Sequence, residues 1–275
     1  MGNLDRDSNF WDIFWNKNES DQLPYYSWPR VSKAYGLKRV LDAFEGDVSG
    51  LKVLECGCGS AEISKELLKR GAHCDLLDIS EVGLEITSKQ IQEMGYEVNC
   101  FFGDAKLIGN LTGNKKYDLI YSGGLLHHIE ELGPVVDSMK ESLSQNGLII
   151  ADFIPDKFSL QTLADLEKSL VYFLRNIGKK KLSDLFSLYS HIPDTFVSKR
   201  PAKAYKEAFE CSDLYVEMYT ATVYPSFALP KFLEKIYSKF LLSKYSLWER
   251  LYGKKSSFLN LLSISFTLYA RKHNR

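Results

Sequence analysis

From Leu51 to Ile154 short apolar runs alternate with segments whose apolar residues recur every three or four positions. The runs suit strands buried on both faces, and the spaced segments suit helices that cover them. "LKVLEC" is expected to be a first strand, followed by a helix in "SAEISKELLKRG", where Ile63, Leu67 and Leu68 share a side and Gly71 supplies a stop. "AHCDLLDIS" and "EVGLEITSKQIQEMG" repeat the pair. "VNCFFGDA" and "YDLIYSGG" give a third and fourth strand, and "GLIIADFI" a fifth after a helix near "GPVVDSMKESL". This alternation implies an α/β fold with a doubly wound parallel sheet, whose ligands bind at the carboxyl ends of the strands.

The flanks differ in character. Residues 1–50 hold "FWDIFW" and "YYSWPR", dense in aromatics, and then an amphipathic segment "SKAYGLKRVLDAF", together expected to form a helical flap. Residues 156–275 read as substrate-cap helices plus two last strands, "DLYVEMYTATVYPSF" and "FLNLLSISFTLYARK", so that flap, core (51–155) and cap make one continuous domain. Between those strands the helix over 231–252 places Lys231, Lys235 and Lys239 four apart beside Phe232, Leu233, Ile236, Tyr237 and Phe240. Such a helix either packs its apolar side on the body as a cap or lies on an anionic membrane or lipid surface.

At 275 residues and 45% hydrophobic content the chain can bury a sizeable core. No run approaches the roughly 20 apolar residues of a membrane span, and the first residues lack the order of a secretion signal, so a cytoplasmic location with reduced thiols is expected. The five cysteines are an odd number, which argues against a disulfide framework. Cys56 and Cys58 stand too close for a zinc pair, and no metal is expected. Net charge is zero, yet residues 156–275 carry 20 Lys and Arg against 11 Asp and Glu, with the opposite imbalance before them. No base-flipping motif or separate recognition domain accompanies the basic half, so no nucleic-acid partner is expected.

Candidate chemistry begins after the first strand, at Gly57-Cys58-Gly59-Ser60-Ala61-Glu62. Glycines there let a backbone approach a nucleotide. A dinucleotide fingerprint needs Gly where Glu62 stands, and a carboxylate repels phosphates. The turn therefore prefers a nucleoside without phosphates, such as an adenosyl sulfonium.

With "LECGCGSA", "LLDIS", "FFGDA" and "YDLIYSGGLLHHI" in this order, the chain resembles the class I S-adenosylmethionine-dependent methyltransferases of the small-molecule type, with Ala61 where a further Gly is frequent. The resemblance implies a Rossmann-like sheet and S-adenosylmethionine as cofactor. It implies that Asp78 takes the ribose hydroxyls and Asp104 the adenine amino group. It places Glu55, Gly57, Cys58 and Gly59 in the cofactor turn, with Ile79, Ala105 and Ser122 beside the donor.

His127 and His128 are the candidates for a base; the resemblance implies that His127 faces the acceptor, as base or substrate orienter, and that His128 packs beneath the sheet. Histidine titrates near neutral pH, although a histidine bonded to backbone fits the same position. Tyr25 and Arg30 of the flap are expected at the cofactor, Arg30 on its methionine carboxylate, or else as packing for the N-terminal helix. The expected function is methyl transfer to O or N of a small-molecule acceptor, free or linked to lipid or glycan. The rivals are a non-catalytic S-adenosylmethionine-binding regulator or partner subunit and a NAD(P)-dependent oxidoreductase.

Overall fold

The computed structural model describes residues 3–18, 27–156, 198, 200–222, 231–244, 247 and 263–273. Two helices open the chain, α1 (Asn3–Asn18) and α2 (Ser27–Ala43). Strands and helices then alternate: β1 (Lys52–Cys56), α3 (Glu62–Leu68), β2 (His73–Asp78), α4 (Glu81–Glu93), β3 (Asn99–Phe102), α5 (Ile108–Thr112), β4 (Tyr117–Gly123), α6 (Leu132–Ser142) and β5 (Leu143–Phe153). The described remainder contains α7 (Ala202–Cys211), β6 (Leu214–Thr222), α8 (Lys231–Ser243) and β7 (Ser265–Lys272).

The seven strands form one sheet in the order β3-β2-β1-β4-β5-β7-β6. The first five are parallel, as their alternation with helices requires. β7 runs antiparallel between β5 and β6, pairing Ala151 with Leu268 and Asp152 with Thr267. The sheet is thus Rossmann-like with a mixed edge, and both late strands expected from the sequence lie in it. Strand order reverses between β1 and β4, where a crevice opens at the carboxyl ends.

Alternate residues of the central strands feed two cores. Leu54, Ile120 and Ile149 point toward Val135, Val136 and Met139 of α6 and Phe209 of α7, all fully buried. Val53, Leu119 and Ile150 face the opposite layer, with Val40 of α2, Ile63 and Leu67 of α3 and Ile91 of α4. Gly36 sets how closely α2 approaches, because a Cβ there would lie 2.7 Å from the Tyr121 hydroxyl. The helix expected over 231–252 is described as Lys231–Ser243. Of the expected cap, residues 157–197, 199, 223–230, 245–246, 248–262 and 274–275 lie outside the described residues.

Ile120 sits at the centre of β4 with no exposed surface. Ile120→Ala should cost about 2 to 5 kcal/mol in denaturant unfolding through the cavity it leaves. The slope against denaturant should stay unchanged.

Candidate functional site

The turn after β1 is held by the strand beside it. The N–H groups of Gly57 and Cys58 donate to the Leu77 carbonyl at 2.8 and 3.1 Å. Gly57 and Gly59 have φ of 67° and 48°, in the region that L side chains avoid. A Cβ on Gly57 would also meet Leu125 at 2.9 Å. Ala61 takes φ 45° as well, so a non-glycine residue occupies left-handed backbone at the position where a further glycine is frequent.

Asp78 ends β2 and faces this turn. Its carboxylate accepts from the Gly59 N–H at 2.8 Å and the Ser80 N–H at 2.9 Å. Burial holds its carboxyl above the ordinary range, against the pull of those N–H groups. Gly103 and Asp104 follow β3, and Asp104 accepts from the Lys106 N–H at 2.9 Å.

These residues wall a cavity of about 400 Å³, with Gly57, Gly59, Asp78, Ile79, Asp104 and Ala105 on one side and Gly123, Gly124, Leu125 and His128 on the other. That volume lies within the range of small-molecule sites. Its roof is α1, whose Asp7, Trp11 and Trp15 stand four apart and reach the cavity together. Asp12 of the same helix accepts from the Ser80 hydroxyl at 2.6 Å, which anchors α1 to the start of α4.

A second cavity, about 250 Å³, shares Gly123 and Gly124 with the first. It lies under α2 and takes Lys33, Tyr35 and Arg39 from that helix, with Glu55, Cys58, Ser60, Glu62, Tyr121 and Asp152 from the sheet side. Asp152 accepts from the Tyr121 hydroxyl at 2.9 Å and from the Thr267 hydroxyl, with the Arg39 guanidinium 4.0 Å away. Glu62 accepts from Lys33 and Lys65, whose hydrogen bonds outweigh its burial and leave its carboxyl below the ordinary range. Among the described residues Glu55 has no such cation at bonding distance. It accepts from the Ser64 N–H at 2.8 Å, and burial pushes its carboxyl up to about 7.

Several expected residues sit elsewhere. His127 is the buried member of the histidine pair: it lines neither cavity, and burial, with His128 beside it, pulls its pKa down to about 3. His128 lines the first cavity and meets Trp11 edge-on at 5.3 Å. The expected facing is reversed because the 3-10 turn Leu126–His128 turns neighbouring side chains to different sides. Ser122 is buried within β4 and faces neither cavity. Arg30 pairs with the buried Glu234 of α8 at 3.4 Å instead of entering either cavity. Tyr25 lies outside the described residues.

A family profile described as a methyltransferase domain matches residues 54–149. Residues 54–149 thus carry a methyltransferase-like domain. Over 141 residues the chain is 23% identical to a ubiquinone biosynthesis O-methyltransferase of Rickettsia canadensis, covering 51% of this chain and 58% of that protein. It is 27% identical over 175 residues to malonyl-[acyl-carrier protein] O-methyltransferase 1 of Ilyobacter polytropus, covering 59% of this chain and 64% of the relative. The chain spans about half the length of the curated relatives it matches. Among solved structures, the magnesium protoporphyrin IX methyltransferase of Synechocystis with bound SAH superposes with a TM-score of 0.58 at 15% identity, covering 99% of this chain and 100% of that one. At that identity the likeness is one of fold.

The methyltransferase domain is roofed by residues that sequence reading did not assign. Asp7, Trp11 and Trp15 were legible as an i, i+4, i+8 face. Lys33 and Arg39 carried no motif, nor did Asp152, and only the tertiary fold gathers them. Among the described residues no cluster of His, Cys, Asp and Glu suits a metal. Burial and then the Asp78 carboxylate push the Cys58 thiol well up, so it stays protonated.

Two measurements check this geometry. Gly59→Ala places a methyl 3.2 Å from the Trp15 ring at a left-handed position. It should lower the melting temperature and shift tryptophan fluorescence, the backbone strain alone costing about 1 to 2 kcal/mol. His127 should show no titration by NMR between pH 5 and 9. Its folded pKa lies below the unfolded value of 6.5, so it contributes a loss of stability as pH falls from 6.5 toward 3, and His127→Gln should flatten that part of the profile.

Proposed function

We propose that this protein is an S-adenosylmethionine-dependent methyltransferase that acts on an oxygen of a small-molecule acceptor. The observation that carries the reading is Asp78, a buried carboxylate fixed by two backbone N–H groups at the mouth of a glycine turn. Its remaining lone pairs suit two vicinal hydroxyls. Asp104 keeps one oxygen beyond its bond to Lys106, which suits an exocyclic amine, and Leu77, Ile79 and Ala105 give the apolar wall a purine needs. Among the described residues that line the first cavity, Asp7, Asp78, Asp104 and Glu130 stand against the single lysine Lys106. That balance favours a cationic donor without phosphates and disfavours a dinucleotide.

The second cavity suits the amino-acid end of the donor. Glu55 there suits the donor's ammonium group, and Lys33 and Arg39, although engaged with Glu62 and Asp152, suit its carboxylate, the role expected of Arg30. The donor supplies an already activated methyl group, so the chain's task is chiefly alignment and exclusion of water. His127 lines neither cavity and so stands apart from the transferring methyl group. Oxygen as the acceptor atom is supported by the relatives, which are named O-methyltransferases. The lipid contact expected of 231–252 belongs to the same reading, because α8 packs on α2, the helix that walls the second cavity.

Calorimetry with S-adenosylmethionine or its demethylated product tests the assignment. Asp78→Ala should weaken binding by about 1.5 to 3 kcal/mol, the worth of charge-assisted bonds to hydroxyls, and equal affinity would overturn the ribose role. Affinity should also fall as pH drops through about 7, because only ionised Glu55 balances the donor's ammonium group. Glu55→Gln should bind weakly and remove that dependence.

A further inference from the structure

We propose that α8 docks this protein on an anionic lipid surface through an outward face of Phe232, Leu233, Ile236 and Phe240 bordered by lysines. α8 is turned the opposite way from an ordinary surface helix. Its polar residues Glu234 and Ser238 are buried, 2% and 1% exposed, while Phe232, Ile236 and Phe240 are 64%, 62% and 53% exposed.

The inward side is held by specific bonds. Arg30 pairs with Glu234, Ser238 donates to Glu234 at 2.5 Å, and the Tyr35 hydroxyl donates to the Leu241 carbonyl at 2.7 Å. These contacts fix which side faces α2. The apolar side is thereby committed to the exterior, so the packed cap expected for that face is not the arrangement seen.

Charge selects the occupant. At 3.6 residues per turn Phe232, Ile236 and Phe240 form one stripe, with Lys235 and Lys239 along one edge and Lys244 beyond the other. All three lysines are exposed, and the helix's one acid, Glu234, is turned inward. A contiguous apolar stripe with a cationic border and no outward acid matches an interfacial helix on anionic headgroups. The stripe lies on the helix that packs against α2, and Tyr35 joins the two by lining the second cavity and bonding to α8. Docking would bring that cavity beside the bilayer, which deepens the proposed methyl transfer by pointing to a lipid-linked acceptor.

Flotation of the whole chain with vesicles tests the surface without reference to methyl transfer, so its failure is separate from failure of the enzymatic reading. The protein should float with vesicles containing phosphatidylglycerol at low salt, stay below with pure phosphatidylcholine, and be released as salt rises. Lys235→Gln, Lys239→Gln and Lys244→Gln together should lower the vesicle partition coefficient by about a hundredfold. Phe232→Ser, Ile236→Ser and Phe240→Ser together should abolish flotation while the melting temperature and donor affinity hold, because these side chains are outside the core. Absence of flotation with either vesicle overturns the proposal. So does a lipid-free dimer in sedimentation that the serine variant dissociates, since the face would then belong to a second copy.

Discussion

The Asp78 carboxylate is the constraint on which the site depends. It receives the Gly59 N–H and so fixes the glycine turn after β1 against the end of β2. It also receives the Ser80 N–H, which sets the start of α4, and the Ser80 hydroxyl in turn takes the Gly83 N–H as a cap. The Gly59 carbonyl accepts from the Thr87 hydroxyl, nearly two turns into α4, at 2.8 Å, closing the loop of bonds. Because Asp12 of α1 joins at Ser80, the roof of the cavity hangs from the same residues as its floor. A single side chain thus orders the turn, a helix start and the lid, while still presenting lone pairs to a ligand.

What was legible in the sequence was what local physics decides. Buried strands announce themselves as apolar runs, and glycine marks left-handed backbone, so the positions of Gly57, Gly59, Asp78 and Asp104 relative to the strands could be read directly. The histidine pair could not be ordered that way. Whether His127 or His128 faces the cavity depends on the rotation of a short 3-10 turn, whose outer side is set by the N–H of Ser198 bonding to the His127 carbonyl from far along the chain. Arg30 illustrates the same limit, since its carboxylate partner, Glu234, comes from a helix that no local pattern ties to α2.

The two cavities differ in how their charges are settled. In the second, Glu62 and Asp152 have cations within reach, while Glu55 lies under α3 with a backbone N–H as its bonded partner. A buried carboxylate without a counter-ion is held toward its neutral form, and a ligand ammonium restores the charged one. Glu62, which read as the residue that excludes phosphate, instead belongs to an ion-paired cluster linking α2 to α3. The discrimination against phosphate rests on the acids of the first cavity.

The inverted orientation of α8 follows from a competition between two kinds of burial. Turning Phe232, Ile236 and Phe240 inward would gain apolar area but would leave Glu234 outside and Arg30 without it. The observed packing buries the acid, which is tolerable because Arg30 and Ser238 supply charge and a hydrogen bond. With Glu234 buried and Arg30 half-exposed, the pair adds little net stability but discriminates against arrangements that strand the acid. On that argument the pair specifies the rotation of α8 more than it stabilises the fold. The apolar stripe is left outside as the consequence, at the helix that also walls the second cavity through α2.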